Sequence, residues 1–314
     1  MRSHSTALYS KRHNAEALPA LHAMRICQAL SAGLDDAPLA GRVHSVFANA
    51  VNIETTQGLV SLLTRGRSLL PFSVVLDTRS PFPSLGWEGG LPLILDKRGI
   101  FVSDGTPLVL LQGARPTELK VCRRLQQTQC LPSAAPLVRW LTEHADENGL
   151  SPLVTRQGSN PYVQLIETRL PALYAAVASE NSDAAAQAAE RMAGCGVGLT
   201  PSSDDLLCGY MTLLHALSAC GFGMEPSVLL PLTKTMAQHA AKKTTAISAA
   251  FLLQSGNGYA SDDLLTLLAL LFGGADEAAL HSAADRVGSF GSTSGADILT
   301  GATLALLQFS RDNP

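Results

Sequence analysis

Three alternating glycines lead directly into a pair of acids in this chain, as Gly194-Cys195-Gly196-Val197-Gly198-Leu199-Thr200-Pro201-Ser202-Ser203-Asp204-Asp205. Glycine lets a backbone reach positive φ and come close to a ligand, because no Cβ intervenes. A helical pattern follows Pro201, so the turn also offers a helix N-terminus with free N–H groups and a partial positive charge. Phosphate or a carboxylate suits such a place. Gly196, Gly198, Thr200, Ser202 and Ser203 are therefore candidate ligand-binding residues. Asp204 and Asp205 are candidate catalytic groups, since adjacent carboxylates can share a proton, orient an amide substrate or hold Mg²⁺ through water. No Lys follows the glycines, so this is not a Walker loop. The turn follows a helical segment rather than a strand, so it is not a dinucleotide fingerprint.

A second copy lies downstream. Gly291-Ser292-Thr293-Ser294-Gly295-Ala296-Asp297-Ile298-Leu299-Thr300-Gly301 aligns without gaps on Leu199–Gly209. Ser294 matches Ser202, Asp297 matches Asp205 and Gly301 matches Gly209. Each copy runs into an apolar helix. The repeat predicts that the two turns face each other and hold one small anion, with Ser292, Ser294 and Gly295 as ligand-binding residues and Asp297 as a third catalytic acid. The same residues also read as a capping box, with Ser202 or Ser294 as the N-cap and the Asp reaching back. A further segment, Lys242-Lys243-Thr244-Thr245-Ala246-Ile247-Ser248, places hydroxyls about one helical turn apart beside two lysines. Thr245 and Ser248 join the ligand-binding set as hydrogen-bond donors. Alternatively, these lysines are solvated and the hydroxyls bond back to carbonyls.

The elements that must position these groups fall into two kinds. Residues 1–14 read as a flexible tail and residues 15–33 as a short helix ending at Gly33. Short β-prone runs follow at Arg42–Phe47, Val51–Thr55, Leu59–Leu63, Ser73–Leu76, Leu91–Leu95, Ile100–Ser103 and Leu108–Leu111, several separated by turn signals. Such a series predicts a β-barrel or sandwich. Pro71–Gly90, rich in Pro and Gly, reads as a long surface loop or lid. After Gly113 the pattern turns helical, over Ala134–Glu147, Pro161–Ala178, Ser182–Ala193, Leu206–Leu217, Pro226–Leu253 as one helix or two, Asp262–Phe272, Ala275–Val287 and Ala296–Phe309. Strands followed by helices predict an α+β fold, with a β-rich domain over residues 15–113 and a mostly α-helical domain over 114–314 that carries the Gly-rich motifs.

Composition narrows the function classes. Hydrophobic residues make up 46% and charged residues 16%, a balance that fills a sizeable core. With 23 Lys+Arg against 26 Asp+Glu the net charge is −3, not the basic footprint of a nucleic-acid binder. No apolar run is long enough to span a bilayer. The N-terminus lacks the apolar core of a signal peptide, and no cysteine pair has C-x-x-C spacing. Reduced cysteines suit the cytoplasm. The eight histidines form neither His-x-x-x-His nor His-Glu-x-x-His, so spacing gives no catalytic transition-metal site. His44 and His215 read as structural. No cofactor is demanded, and Mg²⁺ at Asp204 and Asp205 is the one candidate.

At Gly198–Asp205 the chain resembles a bacterial domain-of-unknown-function family that includes the third subunit of the oxamate carbamoyltransferase complex of anaerobic allantoin degradation. The likeness runs over roughly residues 40–310 and takes in the early β region, Thr245…Ser248 and Gly291–Asp297. The family usually has Gly where Ser203 stands. The resemblance implies a subunit that acts with two partner proteins, in a reaction converting oxalurate and phosphate to oxamate and carbamoyl phosphate. It also leaves a second use of the same motif, as a non-catalytic assembly or regulatory subunit that binds an anionic metabolite.

Overall fold

The computed structural model describes residues 20–144 and 146–312, so the expected tail at residues 1–14 lies outside the described residues. The chain divides into two compact units, one ending at Leu119 and the other beginning at Lys120.

The first unit is an eight-stranded barrel over residues 21–117. The barrel strands are β1 (Leu21–Cys27), β2 (Leu39–Val46), β3 (Ala50–Thr55), β4 (Gly58–Leu63), β5 (Ser73–Leu76), β6 (Pro92–Asp96), β7 (Gly99–Val102) and β8 (Pro107–Leu110), and a ninth strand of three residues, β9 (Arg115–Thr117), adds to β1. The order is β5-β4-β3-β2-β6-β7-β8-β1, and antiparallel pairing of β1 with β5 closes the circle. The other edge of β1 pairs first with β8 and then with β9. Register shifts in β1, in β2 and between β7 and β8 supply local bends, which help a sheet curl shut. Apolar side chains fill the core, among them Ile26, Val43, Ile53, Leu62, Leu95, Ile100 and Val109.

Two expectations need correcting here. Residues 21–27 form strand β1, not the front of a helix, and helix α1 spans Gln28–Asp36, running past Gly33. The local sequence is compatible with either state, and pairing with three strands distant in sequence decides it. Pro71–Gly90 is not a surface lid throughout. It contributes β5, and it buries Phe82 and Trp87, whose rings meet edge to face at 6.0 Å.

The second unit is helical, with α2 (Val121–Arg124), α3 (Ala135–Glu143), α4 (Pro152–Thr155), α5 (Pro161–Ala178), α6 (Ser182–Met192), α7 (Ser202–Ala219), α8 (Pro226–Ala240), α9 (Ala246–Gly256), α10 (Asp262–Phe272), α11 (Glu277–Gly288) and α12 (Ser294–Asp312). Several starts are written in the sequence as side-chain caps. Asn160 accepts from the Tyr162 and Val163 N–H groups, and Asn181, Thr245, Ser261 and Asp276 each cap the helix that follows. The 226–253 pattern resolves as two helices, α8 and α9, because α8 ends at Ala240 in a short 3-10 turn over Ala241–Lys243, the chain extends at Thr244, and Thr245 caps a new helix. Helix α7 is the centre of this unit. Every residue from Ser202 to Leu213 is buried, with α12, α9, α8, α6 and α2 packed around it. No described helix is long and apolar enough to cross a membrane.

Candidate functional site

The central helix has no side-chain N-cap. Pro201 occupies the cap position and Ser202 is the first helical residue, so Ser202 is not the N-cap that the capping-box reading expects. The reason lies in the turn before it. The N–H of Gly194 donates to Asp204 Oδ1 at 2.8 Å and the N–H of Cys195 donates to Ser203 Oγ at 2.9 Å. The N–H of Ser203 returns a bond to the Cys195 carbonyl at 2.9 Å. The side chains of the first turn are thus spent on folding the glycine segment back over the helix start. Gly196, at φ 140°, sits where a Cβ would lie 2.3 Å from the Ser202 nitrogen, so only glycine fits there. Gly198, at φ 91°, has open space around it. Val197 and Leu199 beside it are exposed, at 67% and 52%.

The third segment seals the same turn. Thr244 and Ser248 both donate hydroxyl hydrogen bonds to Asp204 Oδ2, the second at 2.7 Å. Thr245 caps α9 and gives its hydroxyl hydrogen to the Leu199 carbonyl at 2.6 Å. Lys243 pairs with Glu190 at 3.2 Å. The hydroxyls of this segment therefore meet a carboxylate of the chain itself. Asp204 is fully buried with both oxygens hydrogen-bonded. Burial raises its pKa, and the Thr244, Gly194 and Ser248 donors oppose that rise. Both of its oxygens thus help to hold the turn.

The two sequence copies come together. Thr200 and Ser294 share a hydroxyl–hydroxyl hydrogen bond at 2.9 Å. Helices α7 and α12 cross at their matched glycines. A Cβ on Gly209 would lie 1.9 Å from the Ile298 carbonyl oxygen, and one on Gly301 would lie 1.9 Å from that of Leu206. Leu206 and Ile298 are themselves matched positions of the repeat. The crossing is thus reciprocal, a local pseudo-twofold. The acids obey the same exchange. Asp205 is acted on by the Ser294 hydroxyl of the other copy, and Asp297 by that of Ser202. Gly295 has a packing reason, because a Cβ there would lie 2.1 Å from the Val287 carbonyl oxygen. Ser292 is exposed.

Asp205 and Asp297 are the chemically unusual pair. Their relative exposures are 2% and 0%, and Oδ2 of each is buried with no hydrogen-bond partner. Burial drives the Asp205 pKa well above the carboxylate range. The Ser294 and Thr200 hydroxyls oppose this, while the nearby Asp297 charge adds to it. Burial lifts Asp297 to about 6, against the Leu150 N–H, Ser202 and Thr293. The Leu150 N–H donates to Asp297 Oδ1 at 2.7 Å. Burial thus favours the neutral form of both carboxyls, most strongly that of Asp205. Such a pair can donate to one polar atom and accept from its neighbour, the complement of an amide or ureide edge. Gly149, where a Cβ would stand 3.2 Å from Asp297 Oδ1, and Leu150 were not foreseen. Asn148-Gly149 is a turn signal, but no spacing rule links the following Leu150 to an acid 147 residues later.

Two family models match this chain. One, described as oxamate carbamoyltransferase subunit AllH, matches residues 192–306, and the other, described as the AllH family N-terminal domain, matches residues 22–116. The chain belongs to the AllH family. The AllH N-terminal match coincides with the barrel, and the AllH subunit match contains both glycine turns, the Thr244–Ser248 segment and the crossing helices. The family description places the chain among subunits of a carbamoyltransferase complex of allantoin degradation. No solved structure matches the chain.

Proposed function

We propose that this chain provides the amide-handling part of a carbamoyl-transfer site, in which oxalurate and phosphate become oxamate and carbamoyl phosphate, and that it acts with two partner subunits. The observation that carries this reading is the buried pair Asp205 and Asp297, each with an unpartnered oxygen and each paired across the repeat with a hydroxyl. In the reaction a phosphate oxygen attacks the carbamoyl carbon and the bond from that carbon to the oxamate nitrogen breaks. The nitrogen must gain a proton as it leaves, and hydrogen phosphate must lose one. Asp205, whose pKa burial raises well above its ordinary value, supplies the first proton and is refilled by the second, while Asp297 accepts from the substrate N–H. Positioned acid–base groups of this kind contribute about 10²- to 10⁴-fold to rate. The tip Gly196–Thr200, with Ser202, Ser292 and Ser294, receives the anionic part of the substrate.

In the reconstituted complex, Asp205→Ala should lower phosphate-dependent cleavage of oxalurate at least about 100-fold, with helical circular dichroism close to wild type. Retained activity in a folded variant would retire the assignment. A second reading has its own support in Val197 and Leu199, exposed beside acids that are shielded. In it the motif binds an anionic metabolite and regulates or assembles the complex. The partners alone would then turn over oxalurate, and the purified chain would still be stabilised by oxamate or phosphate in a thermal-shift measurement.

A further inference from the structure

Two histidines that no local spacing connects come together on the helical unit. His144 follows the last residue of α3, Glu143, while His281 and Asp285 lie one turn apart on α11. Glu143 Oε2 is 3.0 Å from His281 Nε2. One donor atom from each of Glu143, His144 and His281 lies within 4.8 Å of the other two. All three side chains are 40–48% exposed, open to an incoming ion.

The second nitrogen of each ring is already engaged. His144 Nδ1 is 2.9 Å from the Trp140 carbonyl, and its Nε2 lies 3.8 Å from Asp285 Oδ1. His281 Nδ1 is 3.3 Å from Asp285 Oδ2. Asp285 is in turn pinned by the Trp140 indole N–H, which donates to its Oδ1 at 2.7 Å. The Trp140 ring stacks on His144 at 4.3 Å. This is the outer-shell pattern that orients histidine ligands, one ring against a carbonyl and the other against a carboxylate. Donors of a tetrahedral zinc shell stand roughly 3.4 Å apart. Half-exposed side chains, two at the end of α3 and one within α11, can close that gap by small rotations.

We infer that Glu143, His144 and His281 form a site for one divalent transition ion, Zn²⁺ by its imidazole and carboxylate donors, with Asp285 and Trp140 as its positioning residues and a fourth ligand position open to water. The ion clips the end of α3 to α11. Nothing in this site depends on the carbamoyl-transfer reading.

The test uses the full chain carrying Cys122→Ser and Cys130→Ser, because those two cysteines are exposed and a free thiolate competes for zinc. Equilibrium dialysis against Zn²⁺ should give one ion per chain, and Co²⁺ should give visible d–d absorption displaced by Zn²⁺. His144→Ala and His281→Ala should each weaken binding more than tenfold, and Asp285→Asn about tenfold. Zn²⁺ should raise the melting temperature of the parent but not of the histidine variants. Glu143→Gln, close to isosteric, gives the same reading if an alanine variant misfolds. Absence of stoichiometric uptake by the parent would overturn the site. So would undiminished uptake by a folded His144→Ala/His281→Ala chain.

Discussion

Asp297 carries a measurable consequence of burial. Its folded pKa of about 6 lies above the ordinary 3.8, so between those values the folded chain binds more protons than the unfolded one. Stability contributed by this group is then full below the lower value, falls as pH rises through the window, and is flat above it. Asp297→Asn keeps the oxygen that accepts from Leu150 and removes the titration. In urea melts at pH 4 and pH 7 the variant should lack up to about 3 kcal/mol of the wild-type decline. An unchanged pH dependence would show that Asp297 is ionised when folded. Much of this residue set was legible, because a gap-free repeat of Ser, Asp and Gly marks positions that share an environment. The division of labour was not. Asp204 and Asp205 are adjacent in sequence, yet one has both oxygens satisfied by its own turn and the other keeps an unpartnered oxygen. Their chain direction at a helix start separates them, and only the three-dimensional placement of Thr244, Ser248 and Ser294 reveals it. Likewise, His144 and His281 could not be joined by any spacing rule.

At the scale of elements, the crossing of α7 and α12 rests on missing side chains. Gly209→Ala would place a methyl 1.9 Å from a backbone oxygen. Overpacking of this kind costs about 3 kcal/mol or more when backbone must move. Gly301→Ala should cost a similar amount, and the double variant less than the sum, since the first methyl already parts the helices. Chemical denaturation of the four species measures both. Simple additivity would mean the two contacts are not one interface. Helices were readable from sequence where caps and periodicity coincide, as at Asn160–Ala178 and Ser261–Phe272. Strand β1 was not, because its state is chosen by partners more than 45 residues away in sequence. The choice of barrel over sandwich depends on that same strand, since β1 makes the closing pair.

The described residues form two compact units, and the two tryptophans divide between them. Trp87 is buried in the barrel unit and Trp140 in the helical unit. Single-tryptophan variants, Trp87→Phe and Trp140→Phe, should therefore report two unfolding transitions with different midpoints rather than one. Coincident curves would show the units to be one cooperative body. The α+β division was evident from the change of pattern after Gly113. Its boundary in space falls later, because β9 and Leu119 complete the first unit before Lys120 begins the second.

The reciprocal glycine contact also limits how the molecule can breathe. A one-residue slide of either helix would bring a side chain against the other's backbone at both glycines together, so the spacing of Asp205 and Asp297 stays constant while the crossing holds. The exposed Val197 and Leu199 lie outside that locked crossing. Amide hydrogen exchange should show this as rapid labelling at 196–199 beside strong protection across 206–213 and 299–306.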